Sequence, residues 1–227
     1  LRFVLTLSSV TILVMSFVSL TSFNLGYGLI LSRLSNQYAP VNGVLIRAPS
    51  KGPMLSEASF TPLEPTAVDW LQKQSEVELV APIAQTQPLL LPSNWLQGRP
   101  VFGVLGVRPS VEAQLVKFDE IVVEGRYPND DEEAVLLSEG LKKELSIEVD
   151  TVLMLGRSRV KVVGFYDYRK LTQLSDLDGT SLVPRKLVNL SPPGEPPSIA
   201  VFPVEEDELI ICTFETGMKI PGVTLSY

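Results

Sequence analysis

Histidine is absent from this sequence of 227 residues, and cysteine occurs once. Without histidine, the chain cannot form a Ser-His-Asp or Cys-His catalytic arrangement or a histidine-based metal site. The single cysteine, Cys212, cannot form a disulfide within the chain. It stands in the apolar run of residues 210–214, a setting typical of a packed side chain rather than of a nucleophile.

Basic residues are scarce and scattered, with 19 lysines and arginines against 26 acidic residues and a formal net charge of −7. No cluster of basic residues is present to neutralise phosphates, so we predict that the chain does not bind nucleic acid. No glycine-rich loop followed by Lys-Ser/Thr occurs, which argues against a Walker-type nucleotide site. We therefore predict no catalytic residue, no cofactor and no metal site, and we expect that the chain is not an enzyme.

One acidic stretch has the alternation of a calcium-binding loop but lacks its other requirements. Asn129, Asp131 and Glu133 alternate as calcium ligands do. The sixth position from Asn129 is Ala134 rather than glycine, and the twelfth is Gly140 rather than a bidentate glutamate. We therefore predict a solvated acidic turn at this point.

Charge is also missing from the N-terminal part of the chain, where residues 3–32 form an uncharged stretch of 30 positions. As a helix this stretch would reach roughly 45 Å, more than the hydrocarbon core of a bilayer at about 30 Å. We predict a transmembrane helix and stalk over residues 1–34, with the span itself at residues 3–23. Arg2 precedes the span, which favours a cytoplasmic start and an external domain.

A cleaved secretory signal peptide is the alternative interpretation of this leader, because such peptides also place a positive charge before an apolar run. The run is longer than a usual signal core, and no small-x-small cleavage site follows it cleanly. A retained anchor is therefore our preferred prediction. The first residue is Leu1 rather than methionine, from which we expect a fragment of a longer protein.

The remaining residues, 35–227, predict an α+β domain: a mixed sheet of short strands with two main helices, in one or two lobes. Residues 171–179 are polar and are predicted to be a mobile segment. Trp70 and Trp95 are predicted to pack against the sheet, with contact to a partner or an apolar cargo as the alternative. The predicted helices are residues 65–74 and 139–145, and the predicted strands are residues 42–48, 101–107, 121–123, 134–137, 151–155, 160–165, 181–188, 201–202 and 208–214.

Several short motifs follow one another in the order of a known family. The motifs are Val-Leu-Gly-Val-Arg-Pro at residues 104–109, Gly-Arg at 125–126 before an acidic turn, Glu-Ala-Val-Leu-Leu-Ser-Glu-Gly-Leu at 133–141, Val-Asp-Thr-Val at 149–152, and the strand at 160–165. In this order they resemble the periplasmic core domain of MacB/FtsX-like permeases, the type VII ABC transporter subunits. Val149 stands where the family usually has glycine, and Gly140 where it usually has alanine.

The resemblance implies a permease subunit in the cell (inner) membrane, with its main domain extracytoplasmic and further transmembrane helices after Tyr227. Its implied partners are a cytoplasmic ABC ATPase subunit, a second permease subunit in a dimer, membrane lipid and an extracytoplasmic partner protein. ATP hydrolysis by the partner would be transmitted mechanically to move or export a cargo. The candidate moving contacts are residues 171–179 and the two tryptophans. The alternative is a single-pass, membrane-anchored extracytoplasmic binding or scaffold domain without an ATPase.

Overall fold

The computed structural model describes Val44, Ile46 and residues 63–176 and 179–226. The predicted transmembrane helix and stalk at residues 1–34 lie outside the described residues, as does most of the strand predicted at 42–48. Within the described part of the chain, no helix has both the length and the apolar character needed to cross a membrane.

A curled mixed sheet of ten strands organises the described residues, and a separate two-stranded ribbon of β9 and β10 accompanies it. Along the sheet the strands follow the order β12-β1-β4-β11-β6-β8-β7-β2-β3, with β5 paired to the end of β8. The β4–β11 and β6–β8 pairs are parallel, and the other pairs are antiparallel. The strands are β1 (Ala84–Thr86), β2 (Asn94–Leu96), β3 (Arg99–Val101), β4 (Gly103–Val107), β5 (Val122–Gly125), β6 (Ala134–Ser138), β7 (Val152–Leu155), β8 (Ser158–Tyr166), β9 (Arg185–Asn189), β10 (Ile199–Pro203), β11 (Leu209–Thr213) and β12 (Val223–Leu225).

Five short α-helices lie within the described residues, so the prediction of two main helices is incomplete. They are α1 (Thr66–Gln72), α2 (Pro109–Leu115), α3 (Glu139–Leu145), α4 (Tyr168–Gln173) and α5 (Phe214–Met218), with 3-10 turns at Phe118–Ile121 and Glu206–Glu208. The first and third are the predicted helices. Side-chain caps begin three of them: Ser138, Asp167 and Thr213 accept hydrogen bonds from backbone N–H groups of α3, α4 and α5.

The central strands are buried on both faces, which explains why they read in the sequence as continuous apolar runs. In β11, Ile210 and Cys212 face one apolar cluster, whereas Leu209 and Ile211 face the other. Helices α1, α3 and α5 contribute to the first cluster, and α4 with the 3-10 turn Phe118–Ile121 contributes to the second. The sheet is therefore enclosed between two cores at its centre.

The hairpin predicted at residues 151–165 is confirmed as β7 and β8, joined by a two-residue turn at Gly156 and Arg157. Gly156 has a φ of 60°, as a type II′ hairpin turn requires at its first position. The predicted strand and helix around residues 134–145 are likewise confirmed as β6 and α3.

One prediction about the later part of the chain is wrong. Residues 181–188 were expected to pair with the main sheet, but among the described strands β9 pairs with β10 in the separate ribbon. Of the segment predicted to be mobile, residues 171–179, the first three belong to α4, where Leu171 is fully buried in the second core, and residues 177 and 178 lie outside the described residues. The apolar side of α4 is too short to show a helical period in the sequence.

The two departures from the family motifs have local explanations. Asp150, not Val149, adopts the left-handed conformation in its turn, with φ 70°, so Val149 does not need the freedom of glycine. A Cβ added at Gly140 would lie 3.0 Å from a carboxylate oxygen of Glu206, which accepts a hydrogen bond from the Gly140 N–H. Glycine at position 140 therefore allows this contact between α3 and the turn Glu206–Glu208.

Candidate interaction surface

The cysteine and the acidic side chains considered in the sequence analysis have structural roles in the fold. Cys212 is fully buried in β11, as predicted, and burial raises the pKa of its thiol well above the usual range. No group of histidine, cysteine or acidic side chains among the described residues could hold a metal ion.

The acidic turn after β5 is held by hydrogen bonds within the domain. Arg126 donates to both carboxylate oxygens of Glu132, at 2.8 and 2.9 Å, and this bond lowers the pKa of Glu132. Asn129 donates its side-chain N–H to the same carboxylate at 2.8 Å. Asp130 accepts bonds from the backbone N–H and the hydroxyl of Ser110, at 2.9 and 2.6 Å. These contacts fasten the turn to α2 instead of turning its oxygen atoms towards a common ligand.

A small cavity of about 330 Å³ lies where the parallel strands β4 and β11 end. Arg108 and Phe214 both line this cavity, and the guanidinium carbon of Arg108 lies 6.0 Å from the centre of the Phe214 ring. Three carboxylates line the cavity together with the arginine, so the cavity has mixed charge. Its lining consists of Arg108, Pro109, Asp130, Asp131, Phe214 and Glu215.

One buried carboxyl group escaped the sequence analysis because α2 was not predicted. Glu112 on α2 is only 3% exposed, and burial, assisted by the charge of Asp176, raises its pKa to about 7. The nearby Tyr127 hydroxyl is buried without a hydrogen-bond partner among the described residues. Burial and the charge of Glu112 raise the pKa of Tyr127 above its ordinary range. Pro109, the first residue of α2, is the sequence signal that could have located this helix.

Both tryptophans are exposed, so the prediction that they pack against the sheet is wrong. Trp70 on α1 is 61% exposed, and Trp95 on β2 is 54% exposed. They lie on different elements. Neither could be assigned to the surface from the sequence, because the burial of one side chain depends on which elements cover it.

Trp95 belongs to an apolar area that we call the outer sheet face, defined by Trp95, Val152 and Met154. Leu96 and Leu155 are cross-strand neighbours facing the first core, so the adjacent Trp95 and Met154 point to the opposite side of the sheet. Val152 and Met154 are each about half exposed, at 52% and 50%. A solvated face of an antiparallel sheet is normally polar, so these residues mark a surface suited to contact.

Basic residues border the outer sheet face on β8. Arg159 is the cross-strand partner of Met154, and Lys161 that of Val152. Lys161 also forms an ion pair with Asp150 at 2.7 Å. Other exposed apolar side chains lie on the β9–β10 ribbon and on the segment beside it, where the Leu187 N–H donates to the Leu89 carbonyl at 3.2 Å. They are Leu89, Leu90, Leu91, Leu190, Ile199 and Phe202.

Comparison with known proteins gives one family. Residues 3–202 match the family described as MacB-like periplasmic core domain. Among solved structures, the chain is similar to the periplasmic region of MacB from Actinobacillus actinomycetemcomitans, at 13% sequence identity and a TM-score of 0.42, over 79% of this chain and 71% of that one. No curated protein matches the sequence. The family match covers most of the chain, and the chain therefore belongs to the MacB-like periplasmic core domain family.

Proposed function

We propose that this chain is the extracytoplasmic domain of an ABC transporter permease subunit, held in the cell membrane by a transmembrane helix within residues 1–34. The observation that carries the proposal is the family match, because it includes both the uncharged leader and most of the folded domain. ATP would be hydrolysed by a cytoplasmic partner, since the chain has no Walker-type loop. The domain would transmit the resulting movement to a cargo or a partner outside the membrane.

A domain that transmits force must resist deformation, and the packing of the sheet in this domain is consistent with that requirement. Close-packed interiors have low compressibility and transmit strain, and here such interiors lie on both faces of the central strands. At the β3 end of the sheet, Arg99 forms ion pairs with Asp207 at 2.7 Å and with Glu144. These contacts join the sheet edge to α3 and to the turn Glu206–Glu208.

We further propose that the domain acts by contact and is not an enzyme. The support is that its exposed apolar residues lie on open surfaces, while Cys212 and Glu112 are buried. Aromatic residues supply a large share of the binding energy at protein interfaces. The outer sheet face, which includes Trp95, is our candidate for contact with the extracytoplasmic partner.

Co-purification of the complete gene product from its native membrane tests this function. We expect an ABC ATPase to co-purify in a fixed ratio, and ATP hydrolysis by the reconstituted complex to respond to the extracytoplasmic partner. The double variant Trp95→Ser/Met154→Ser should weaken that response without releasing the ATPase. Val123→Ser is the matched control, because Val123 is 43% exposed on β5, away from the outer sheet face.

A complex without an ATPase would contradict the proposal. If the complete gene product also has a single membrane span, the alternative of an anchored binding or scaffold domain replaces it. If ATP hydrolysis responds equally in the double variant and in Val123→Ser, the permease assignment stands and the outer sheet face is not the contact.

A further inference from the structure

The cavity of about 330 Å³ at the ends of β4 and β11 lies where the chain leaves two neighbouring parallel strands towards opposite faces of the sheet. After β4 the chain forms α2, and Val116, which caps the end of α2, packs against the second core. After β11 the chain forms α5, where Phe214 and Met218 pack in the first core. Outside the carboxyl ends of such a strand pair a crevice opens, and it is a common place for a small ligand to bind.

Hydrogen bonds join the three segments that form the walls of this cavity: the start of α2, the acidic turn after β5 and the start of α5. The Ser110 hydroxyl on α2 donates to a carboxylate oxygen of Asp130 in the turn, at 2.6 Å. The Thr213 hydroxyl, which caps α5, donates to the backbone carbonyl of Glu132 in the same turn, at 2.8 Å. Because these contacts already hold the walls in place, a ligand would not have to order them on binding, which favours affinity.

Three charged side chains on these walls are available to a ligand. Arg108, Asp131 and Glu215 line the cavity, and none of them forms a side-chain hydrogen bond or an ion pair with another described residue. Asp130, the remaining carboxylate, already accepts two hydrogen bonds from α2. The Arg108 guanidinium lies 6.0 Å from the centre of the Phe214 ring, a cation–π contact that holds it at the wall and leaves its N–H groups free to donate.

The signs of these charges indicate what the cavity would bind. A guanidinium group pairs with a carboxylate through two parallel N–H···O bonds, and carboxylates pair with ammonium groups. A simple anion would be repelled by Asp131 and Glu215. A metal ion is disfavoured as well, since no group of three acidic side chains among the described residues is placed to hold one. The complementary molecule therefore carries one carboxylate together with amino groups that are protonated at neutral pH.

We propose that this cavity binds a basic α-amino acid, free or at the carboxyl end of a peptide, with its carboxylate at Arg108 and its ammonium groups at Asp131 and Glu215. A free amino acid of this kind has one negative and two positive charges, the reverse of the charges on the three side chains. At the end of a peptide, the α-amino group is part of an amide, and only the side-chain ammonium remains. The site goes beyond the proposed transporter function and does not depend on it.

Isothermal titration calorimetry of the purified full chain in mild detergent tests the site, with L-lysine as the probe. A ligand of about ten non-hydrogen atoms with the efficiency of ordinary ligands should have a Kd of about 5 mM or tighter. L-glutamate, which has a second carboxylate in place of the side-chain ammonium, should bind at least about tenfold more weakly. The tripeptide Gly-Gly-Lys distinguishes the two sources. Binding as tight as that of L-lysine assigns a peptide end, and binding at least about tenfold weaker assigns the free amino acid.

Substitutions separate the roles of the opposite charges. Arg108→Gln should weaken the binding of L-lysine at least about tenfold, and should leave the binding of cadaverine, the corresponding diamine without a carboxylate, unchanged or tighter. Glu215→Gln should weaken the binding of both compounds at least about tenfold, and Asp131→Asn should repeat this result in an independent variant. The matched controls, which should bind L-lysine as the wild type does, are Arg159→Gln beside the outer sheet face and Glu139→Gln at an exposed position in the first turn of α3.

Three results would overturn the proposal. The first is the absence of saturable binding of L-lysine to the wild type in the millimolar range. The second is an equal loss of binding in Arg108→Gln and in Arg159→Gln, which would show a general effect of charge. The third is calcium binding that Glu215→Gln abolishes while L-lysine does not bind, since the cavity would then hold a metal ion. Unchanged circular dichroism of each variant without ligand shows that a loss of binding comes from the site and not from unfolding.

Discussion

Glu112 gives the sharpest quantitative prediction, because burial places its pKa at about 7 in the folded chain, against an ordinary value of 4.5. The folded state therefore holds the proton more tightly than the unfolded state. The contribution of the protonated Glu112 to stability is complete below pH 4.5 and is lost as the pH rises from there through about 7. Relative to low pH, the linkage relation lowers the free energy of unfolding by about 1 kcal/mol at pH 5 and by about 3 kcal/mol at pH 8.5.

The substitution Glu112→Gln removes this titration while preserving the shape of the side chain. Its unfolding free energy relative to the wild type should therefore rise by about 2 kcal/mol between pH 5 and pH 8.5. Urea unfolding of both chains, followed by far-ultraviolet circular dichroism at the two pH values, measures this difference, and equal m values would show that the unfolded states are comparable.

Two further variants separate the causes of the shift. Asp176→Asn should reduce the pH dependence only slightly, because burial is the larger cause of the raised pKa and the charge of Asp176 the smaller one. Glu139→Gln, at an exposed position, measures the background effect of removing one carboxylate. If the difference between Glu112→Gln and the wild type is the same at pH 5 and pH 8.5, the description of Glu112 as a buried titrating group is refuted.

Three other predictions concern packing. Gly125→Ala should destabilise the chain by roughly 3 kcal/mol or more in a thermal melt, because the added Cβ would lie 2.4 Å from the Val163 carbonyl oxygen at a φ of 78°. Gly98→Ala is the control, because Gly98 has a similar φ of 85° but open space around it. This second substitution should lower the free energy of unfolding by only about 1 kcal/mol. A result in which both cost the same would contradict the close approach of β5 and β8. Leu136→Ala, in the second core, should cost about 2–5 kcal/mol of unfolding free energy in urea, and a loss below 1 kcal/mol would argue against its complete burial. Cys212 should react with a maleimide only after denaturant is added, and rapid labelling of the native chain would show that β11 is exposed.

The elements that could be predicted from the sequence are those set by neighbouring residues. The β7–β8 hairpin follows from two arms rich in valine and leucine around a short glycine turn. The start of α3 follows from Ser138, whose hydroxyl accepts the Leu141 N–H at 3.1 Å. In both cases the contacts that fix the element are local, so the residues that make them are close in sequence.

The features that could not be predicted depend on contacts between distant parts of the chain. Helices α4 and α5 have only six and five residues, too few to show a helical period. The parallel pairing of β4 with β11 joins strands about a hundred positions apart. The exposure of Trp95 follows from which side of β2 the core covers, and the burial of Glu112 follows from the packing of α2. The candidate contact surface therefore became visible only with the fold.

Labelling of a cysteine on the outer sheet face in sealed vesicles tests the central claim most directly. In the complete complex, Trp95→Cys should react with a membrane-impermeant maleimide added on the extracytoplasmic side, and its rate should change when a non-hydrolysable ATP analogue is supplied on the cytoplasmic side. Labelling only from the cytoplasmic side, or a rate that nucleotide leaves unchanged, would contradict an external domain coupled to an internal ATPase.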